Sequence, residues 1–167
     1  SGTSTLSLTN LTPSTQYYFR VFTTASATGG ATTDWGFSIC VSYTAVPSND
    51  DCAGALTLTP GTTNSTGSVL NATASGTTVG CATGTPDDDI WYKFTTNANG
   101  GTAVLSFSSL LFNPQVNRGN QLQAAIIEAL APCDASTFTL VSNCVNNATG
   151  NFQLIATSLL PNTTYYI

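Results

Sequence analysis

Apolar and polar residues alternate along most of this chain, in short runs bounded by Gly, Pro, Asn and Asp. Alternation sends successive side chains to opposite faces of an extended segment, the pattern of a half-buried strand. Strands are expected over residues 5–9, 16–24, 36–43, 55–59, 89–96, 103–108, 122–128, 137–142, 152–157 and 163–167. Turn signals separate them at residues 27–30, Pro60-Gly61, 84–86, 97–101 and 146–150. Residues 121–130 also have the propensity of a short helix. Their paired isoleucines, Ile126 and Ile127, between Gly119-Asn120 and Pro132 favour a buried strand.

The end of the chain repeats its beginning. Leu11-Thr12-Pro13-Ser14-Thr15-Gln16-Tyr17-Tyr18-Phe19 returns as Leu159-Leu160-Pro161-Asn162-Thr163-Thr164-Tyr165-Tyr166-Ile167, at a constant offset of 148 (165 − 17). Leu6 meets Leu154 and Thr9 meets Thr157 at the same offset. A period this long implies repeats that are whole domains. The chain therefore reads as a slice of a tandem array. Residues 1–45 would be the C-terminal part of one β-sandwich repeat, 46–51 a linker rich in Pro, Ser and Asp, and 52–167 most of the next repeat without its final strands.

Charged residues are only 7% of the 167, and the net charge is −5 with Arg20, Lys93 and Arg118 the only cations. Three scattered cations cannot track a phosphate backbone, which excludes nucleic acid as a partner. No apolar run reaches the roughly 18 residues a membrane helix needs, so membrane insertion is not expected. Thr and Asn carry the polarity, and Thr suits strands. There is no His, and Glu128 is the only Glu, so triad, His-metal and paired-carboxylate chemistries all lack their residues. The chain is expected not to be an enzyme and to need no cofactor.

Five cysteines in a charge-poor chain indicate an oxidising, extracellular location. The expected pairs are Cys52–Cys81 and Cys133–Cys144, the latter closing a short hairpin and leaving Cys40 free; a Cys40–Cys52 link is the alternative. Sequons occur at Asn10, Asn64, Asn71, Asn147 and Asn162, as chance also allows in a chain this rich in Asn and Thr.

The element Leu11-x-Pro13-x-Thr15-x-Tyr17-Tyr18 allows a tyrosine corner, in which the ring packs and the hydroxyl returns to nearby backbone. Alone it resembles a fibronectin type III strand. The wider order is Asn49-Asp50-Asp51-Cys52, then Asp88-Asp89-Ile90-Trp91-Tyr92-Lys93-Phe94, then Leu159-x-Pro161-x-Thr163-Thr164-Tyr165-Tyr166. This resembles the bacterial pre-peptidase C-terminal-like modules of secreted enzymes and large repetitive surface proteins, notably of Bacteroidetes. The resemblance implies an all-β, jelly-roll-like antiparallel β-sandwich, extracellular and without catalytic residues.

Two features could carry binding. Trp91 and Lys93 alternate with Ile90, Tyr92 and Phe94, so Trp91 either covers a sheet edge or stacks on a sugar. Asp50, Asp87, Asp88 and Asp89 concentrate carboxylates and are candidate calcium ligands, against the plainer reading of a solvated acidic turn. The leading expectation is a structural or adhesive repeat of a surface protein or fibre. Its partners would be neighbouring copies, joined head to tail by strand completion. The alternative is a carbohydrate- or calcium-binding accessory module of a secreted enzyme, with surface glycans as partners.

Overall fold

The computed structural model describes residues 4–8, 11–12, 14–22, 36–43, 45–62, 65–77, 88–112 and 121–167. The chain forms two compact units, residues 1–41 and 42–167. Nine strands are present among the described residues, all in the second unit: β1 (Leu56–Thr57), β2 (Tyr92–Thr95), β3 (Gly101–Phe107), β4 (Leu122–Ala124), β5 (Ile127–Glu128), β6 (Thr139–Leu140), β7 (Val145–Ala148), β8 (Phe152–Leu159) and β9 (Thr164–Tyr166). Two single 3-10 turns, at Cys52–Gly54 and Ala135–Thr137, are the only helical pieces among them, and no helix is long and apolar enough to cross a membrane.

One sheet has the order β1-β2-β9-β5-β6, in which β1 and β2 run parallel and the rest antiparallel. β3 and β8 form a second, antiparallel pair and β4 and β7 a third. An antiparallel bridge between Ser142 and Ala156 ties the approach to β7 onto β8. The fold is an all-β sandwich. Its core lies between the five-stranded sheet and β3–β8: Phe94 and Tyr165 come from one side, Leu154, Ala156 and Leu159 from the other. Phe94 and Tyr165 stack at 5.7 Å between ring centroids, and Phe107 stacks on Phe152 at 4.4 Å.

A smaller cluster covers the opposite face of the five-stranded sheet, with Ala55, Trp91, Ile127 and Tyr166 buried beneath Cys52, Cys133 and Phe138. Adjacent residues therefore serve different cores, Tyr165 the main one and Tyr166 the smaller. Ile126 and Ile127 divide in the same way, which explains why two consecutive isoleucines are both buried in extended chain. The segment 121–130 is strand, as β4 and β5. β7 falls where a turn was expected, because Asn146 and Asn147 point their polar groups outward while Val145 and Ala148 are half-buried.

The first unit departs from expectation. Described residues in 5–9, 16–24 and 36–43 belong to no ladder. Leu6, Leu8, Tyr18, Phe19, Val21, Phe22, Phe37, Ile39 and Val41 are all exposed. Alternation prepares a segment for a sheet, but a strand forms only against a partner that takes its backbone groups.

Local structure nonetheless repeats with the sequence. Tyr165 Oη accepts from the Leu160 N–H at 2.8 Å, and Tyr17 Oη accepts from the Thr12 N–H at 2.7 Å. Ser14 and Asn162, also 148 apart, both hold left-handed backbone at φ 56° and 49°. The same two-step turn and tyrosine corner thus form twice.

Candidate functional site

The residues singled out by sequence meet around the entry to the second unit. Asn49 and Asp50, expected in a linker, are buried and hold the sandwich together. The Asn49 side-chain amide donates to the Trp91 carbonyl at 2.9 Å, and the Asn49 carbonyl accepts from the Trp91 N–H at 2.7 Å. Leu56 N–H also donates to the Trp91 carbonyl, at 3.1 Å. The opening motif thereby fixes the start of β2 before β1 pairs with it.

Asp50 and Asp89 grip one extended segment in the same manner. Asp50 accepts from the Thr73 N–H at 2.5 Å and the Thr73 hydroxyl at 2.6 Å, one at each carboxylate oxygen. Asp89 accepts from the Ser75 N–H at 3.0 Å and the Ser75 hydroxyl at 2.5 Å. Charge-assisted bonds of this kind are stronger than neutral ones. Thr73 and Ser75 carried no signal in a Ser/Thr-rich stretch, since period and spacing cannot say which hydroxyl faces a carboxylate.

Among the described residues, no group of three or more His, Cys, Asp or Glu is placed to hold a metal. Asp50 and Asp89 have their oxygens engaged by the 73–75 segment, and Asp88 is half-buried with a partner of its own. Asp87 lies outside the described residues. The Asp50 and Asp89 carboxylates thus face the protein's own backbone and hydroxyl donors at Thr73 and Ser75.

The disulfide pattern also differs from the expected one. Cys52 bonds to Cys133, with Cα atoms 5.5 Å apart. That replaces both the Cys52–Cys81 and the Cys133–Cys144 pairs, and Cys40 is free and exposed, which removes the Cys40–Cys52 link. The hairpin reasoning failed because β6 pairs with β5 in the large sheet while β7 pairs with β4 in another. The chain crosses between sheets in residues 141–144, so Cys133 and Cys144 do not face each other. Cys144 is disulfide-bonded; Cys81 lies outside the described residues.

Trp91 is 6% exposed, with Phe138 at 5.6 Å between ring centroids. It is a core residue of the smaller cluster and not an open stacking platform, which needs a free ring face. Its Nε1 is buried with no hydrogen-bond partner. What remains of its surface lines an open cleft of about 360 Å³, together with Asp51, Ser75, Thr77, Phe138 and the Cys52–Cys133 bridge. Hydroxyl and carboxylate groups beside an aromatic wall have the chemistry of polyol recognition.

Of the sequon asparagines, Asn71, Asn147 and Asn162 all hold left-handed backbone, at φ 61°, 58° and 49°. Asn tolerates that conformation better than most residues, so turn geometry accounts for its presence at these positions. Asn147 and Asn162 are exposed and Asn71 is half-buried, while Asn10 and Asn64 lie outside the described residues.

Residues 48–113 match the family model of a T9SS-associated, galactose binding domain-like family. The match covers both the Asn49–Cys52 opening and the Asp89–Phe94 motif, and it is to this family instead of the pre-peptidase C-terminal modules. The T9SS association of the matched family points to a secreted or cell-surface protein. No curated protein and no solved structure matches the chain.

Proposed function

We propose that the chain is a non-catalytic structural or adhesive repeat of a secreted surface protein, whose task is to build and space a larger assembly. One observation carries this reading: the motif residues that could have served a site are engaged inside the fold. Asn49 holds Trp91, Asp50 holds Thr73, Asp89 holds Ser75, and Trp91 fills a core. The absence of His from the sequence supports the same reading. The repeated corner at Tyr17 and Tyr165 fits a protein made by reiterating one module.

The test is a glycan array together with a calcium titration of the whole chain. Silence in both, with an unchanged unfolding temperature in calcium, is expected. A second reading, glycan binding, is favoured by the cleft beside Ser75 and Thr77 and by the unpartnered indole N–H of Trp91. Saturable sugar binding abolished by Thr77→Val would replace the first reading with the second.

A further inference from the structure

We infer that Asn99 is a site of self-modification, where the fold presents an Asn-Gly step to water for ring closure, loss of ammonia and hydrolysis to aspartate and isoaspartate. This chemistry is separate from the structural role proposed above.

The turn between β2 and β3 dictates the dipeptide. Asn97 opens the turn: its side-chain oxygen accepts from the Asn99 N–H at 2.9 Å, and its carbonyl accepts from the Gly100 N–H at 3.2 Å. Asn is favoured at a first turn position because its side chain can hold the backbone two residues on. Gly100 then takes left-handed backbone at φ 61°, and a Cβ there would collide with the Leu159 carbonyl oxygen. Glycine alone meets both conditions without strain. Position 99 is therefore followed by a residue with no side chain to shield its nitrogen. Asn99-Gly100 is the one Asn-Gly step in the sequence.

Asn99 is exposed, and its side-chain amide has no hydrogen-bond partner among the described residues. Other asparagines are held. The Asn49 amide donates to the Trp91 carbonyl, and the Asn143 side chain donates to the Gln153 carbonyl and accepts from the Ile155 N–H. Each of these two is also followed by a residue with a side chain, Asp50 and Cys144. The Gly100 nitrogen is restrained by its bond to the Asn97 carbonyl, which at 3.2 Å is at the long end for N–H···O.

The step balances with water alone. The Gly100 nitrogen attacks Cγ of Asn99 and the new N–C bond closes a succinimide. The bond from Cγ to the amide nitrogen breaks, and that group leaves as ammonia with the proton from Gly100. One water then opens the ring. Opening at the side-chain carbonyl gives aspartate at position 99. Opening at the main-chain carbonyl routes the backbone through the side chain and lengthens it by a methylene. Either product adds a carboxylate to a chain of net charge −5. The lengthened backbone falls where the turn is stitched to the chain before β9. There the Asn97 carbonyl also accepts from the Asn162 N–H at 2.9 Å, and the Thr96 hydroxyl donates to the Leu160 carbonyl at 2.6 Å.

The test is a time course of the full, folded chain in mildly alkaline buffer, followed by isoelectric focusing, ammonia assay and peptide mapping, with a parallel sample in urea. The folded chain should shift to the acidic side and release ammonia, with aspartate and isoaspartate at position 99 before any other asparagine is altered. Asn99→Gln should remove this first acidic step and keep the unfolding temperature of the parent. An intact Asn99 in the folded chain overturns the inference, and if it reacts in urea alone the bond from Gly100 to Asn97 is what guards it. Earlier reaction of another asparagine, or a first acidic step that survives Asn99→Gln, also overturns it. None of these outcomes bears on sugar or calcium binding or on assembly, so the structural reading stands or falls separately.

Discussion

Tyr17 and Tyr165 stand 148 residues apart and make the same hydrogen bond in opposite surroundings. Each hydroxyl accepts from the backbone N–H five residues upstream, yet Tyr165 is 1% exposed and Tyr17 is 46% exposed. The bond is encoded locally, by Leu-x-Pro-x-Thr-x-Tyr-Tyr and a left-handed residue after the Pro. The burial is not local, because it depends on β2 and β5, which flank β9 in the second unit.

This pair makes a controlled comparison. Tyr165→Phe leaves the Leu160 N–H without its partner in a partly buried place, and should destabilise the second unit by about 1–2 kcal/mol. Tyr17→Phe exposes its donor to water and should change stability by less than about 0.5 kcal/mol. Urea unfolding of the two variants measures both. Equal losses would mean that the first corner is buried in solution.

The Cys52–Cys133 bond closes a separation of 81 residues and seals the smaller core. In the chain-entropy view a loop of that size contributes about 4 kcal/mol, so a Cys52→Ala/Cys133→Ala variant should unfold at much lower urea than the parent. Non-reducing peptide mapping of the parent should recover Cys52 with Cys133. A Cys133–Cys144 peptide would contradict the crossing of the chain between sheets.

The fold class was legible because period-two alternation and turn residues act locally. Ile126 and Ile127 were readable as strand, and β8 and β9 lie where Phe152, Leu154 and Tyr165 put them. The cysteine pairing was not legible, since it depends on which sheet receives β7, a matter of long-range pairing. Trp91 was correctly placed on the face opposite Phe94, but sequence could not reveal that this second face is also covered. The roles of Asn49 and Asp50 were hidden for a related reason: a polar pair beside Pro47 and Ser48 looks like linker until its partners, Trp91 and Thr73, are known.

The two carboxylate clamps should separate by burial. Asp50 is nearly enclosed and holds Thr73 through two bonds, so Asp50→Ala should cost about 2–3 kcal/mol. Asp89 makes the matching pair of bonds at a more open site, where water competes, and Asp89→Ala should cost about 1 kcal/mol. Thermal unfolding with and without calcium checks the assignment. A rise in unfolding temperature on adding calcium, lost in Asp89→Ala, would instead make these groups metal ligands.

Trp91 separates packing from recognition. Its ring fills the smaller core beside Phe138, Ile127 and Tyr166, so Trp91→Ala should destabilise the second unit by about 3–5 kcal/mol. Trp91→Phe keeps an aromatic ring there and removes a buried N–H that has no partner, so its loss should be about 1–2 kcal/mol. Stability alone thus orders the parent above Phe and Phe above Ala. Recognition of a sugar through the indole nitrogen would break that order in a binding assay, because Phe would then fail as completely as Ala while remaining folded. The expected result is that the Phe variant keeps the circular dichroism spectrum of the parent and that neither protein retains any glycan on an array.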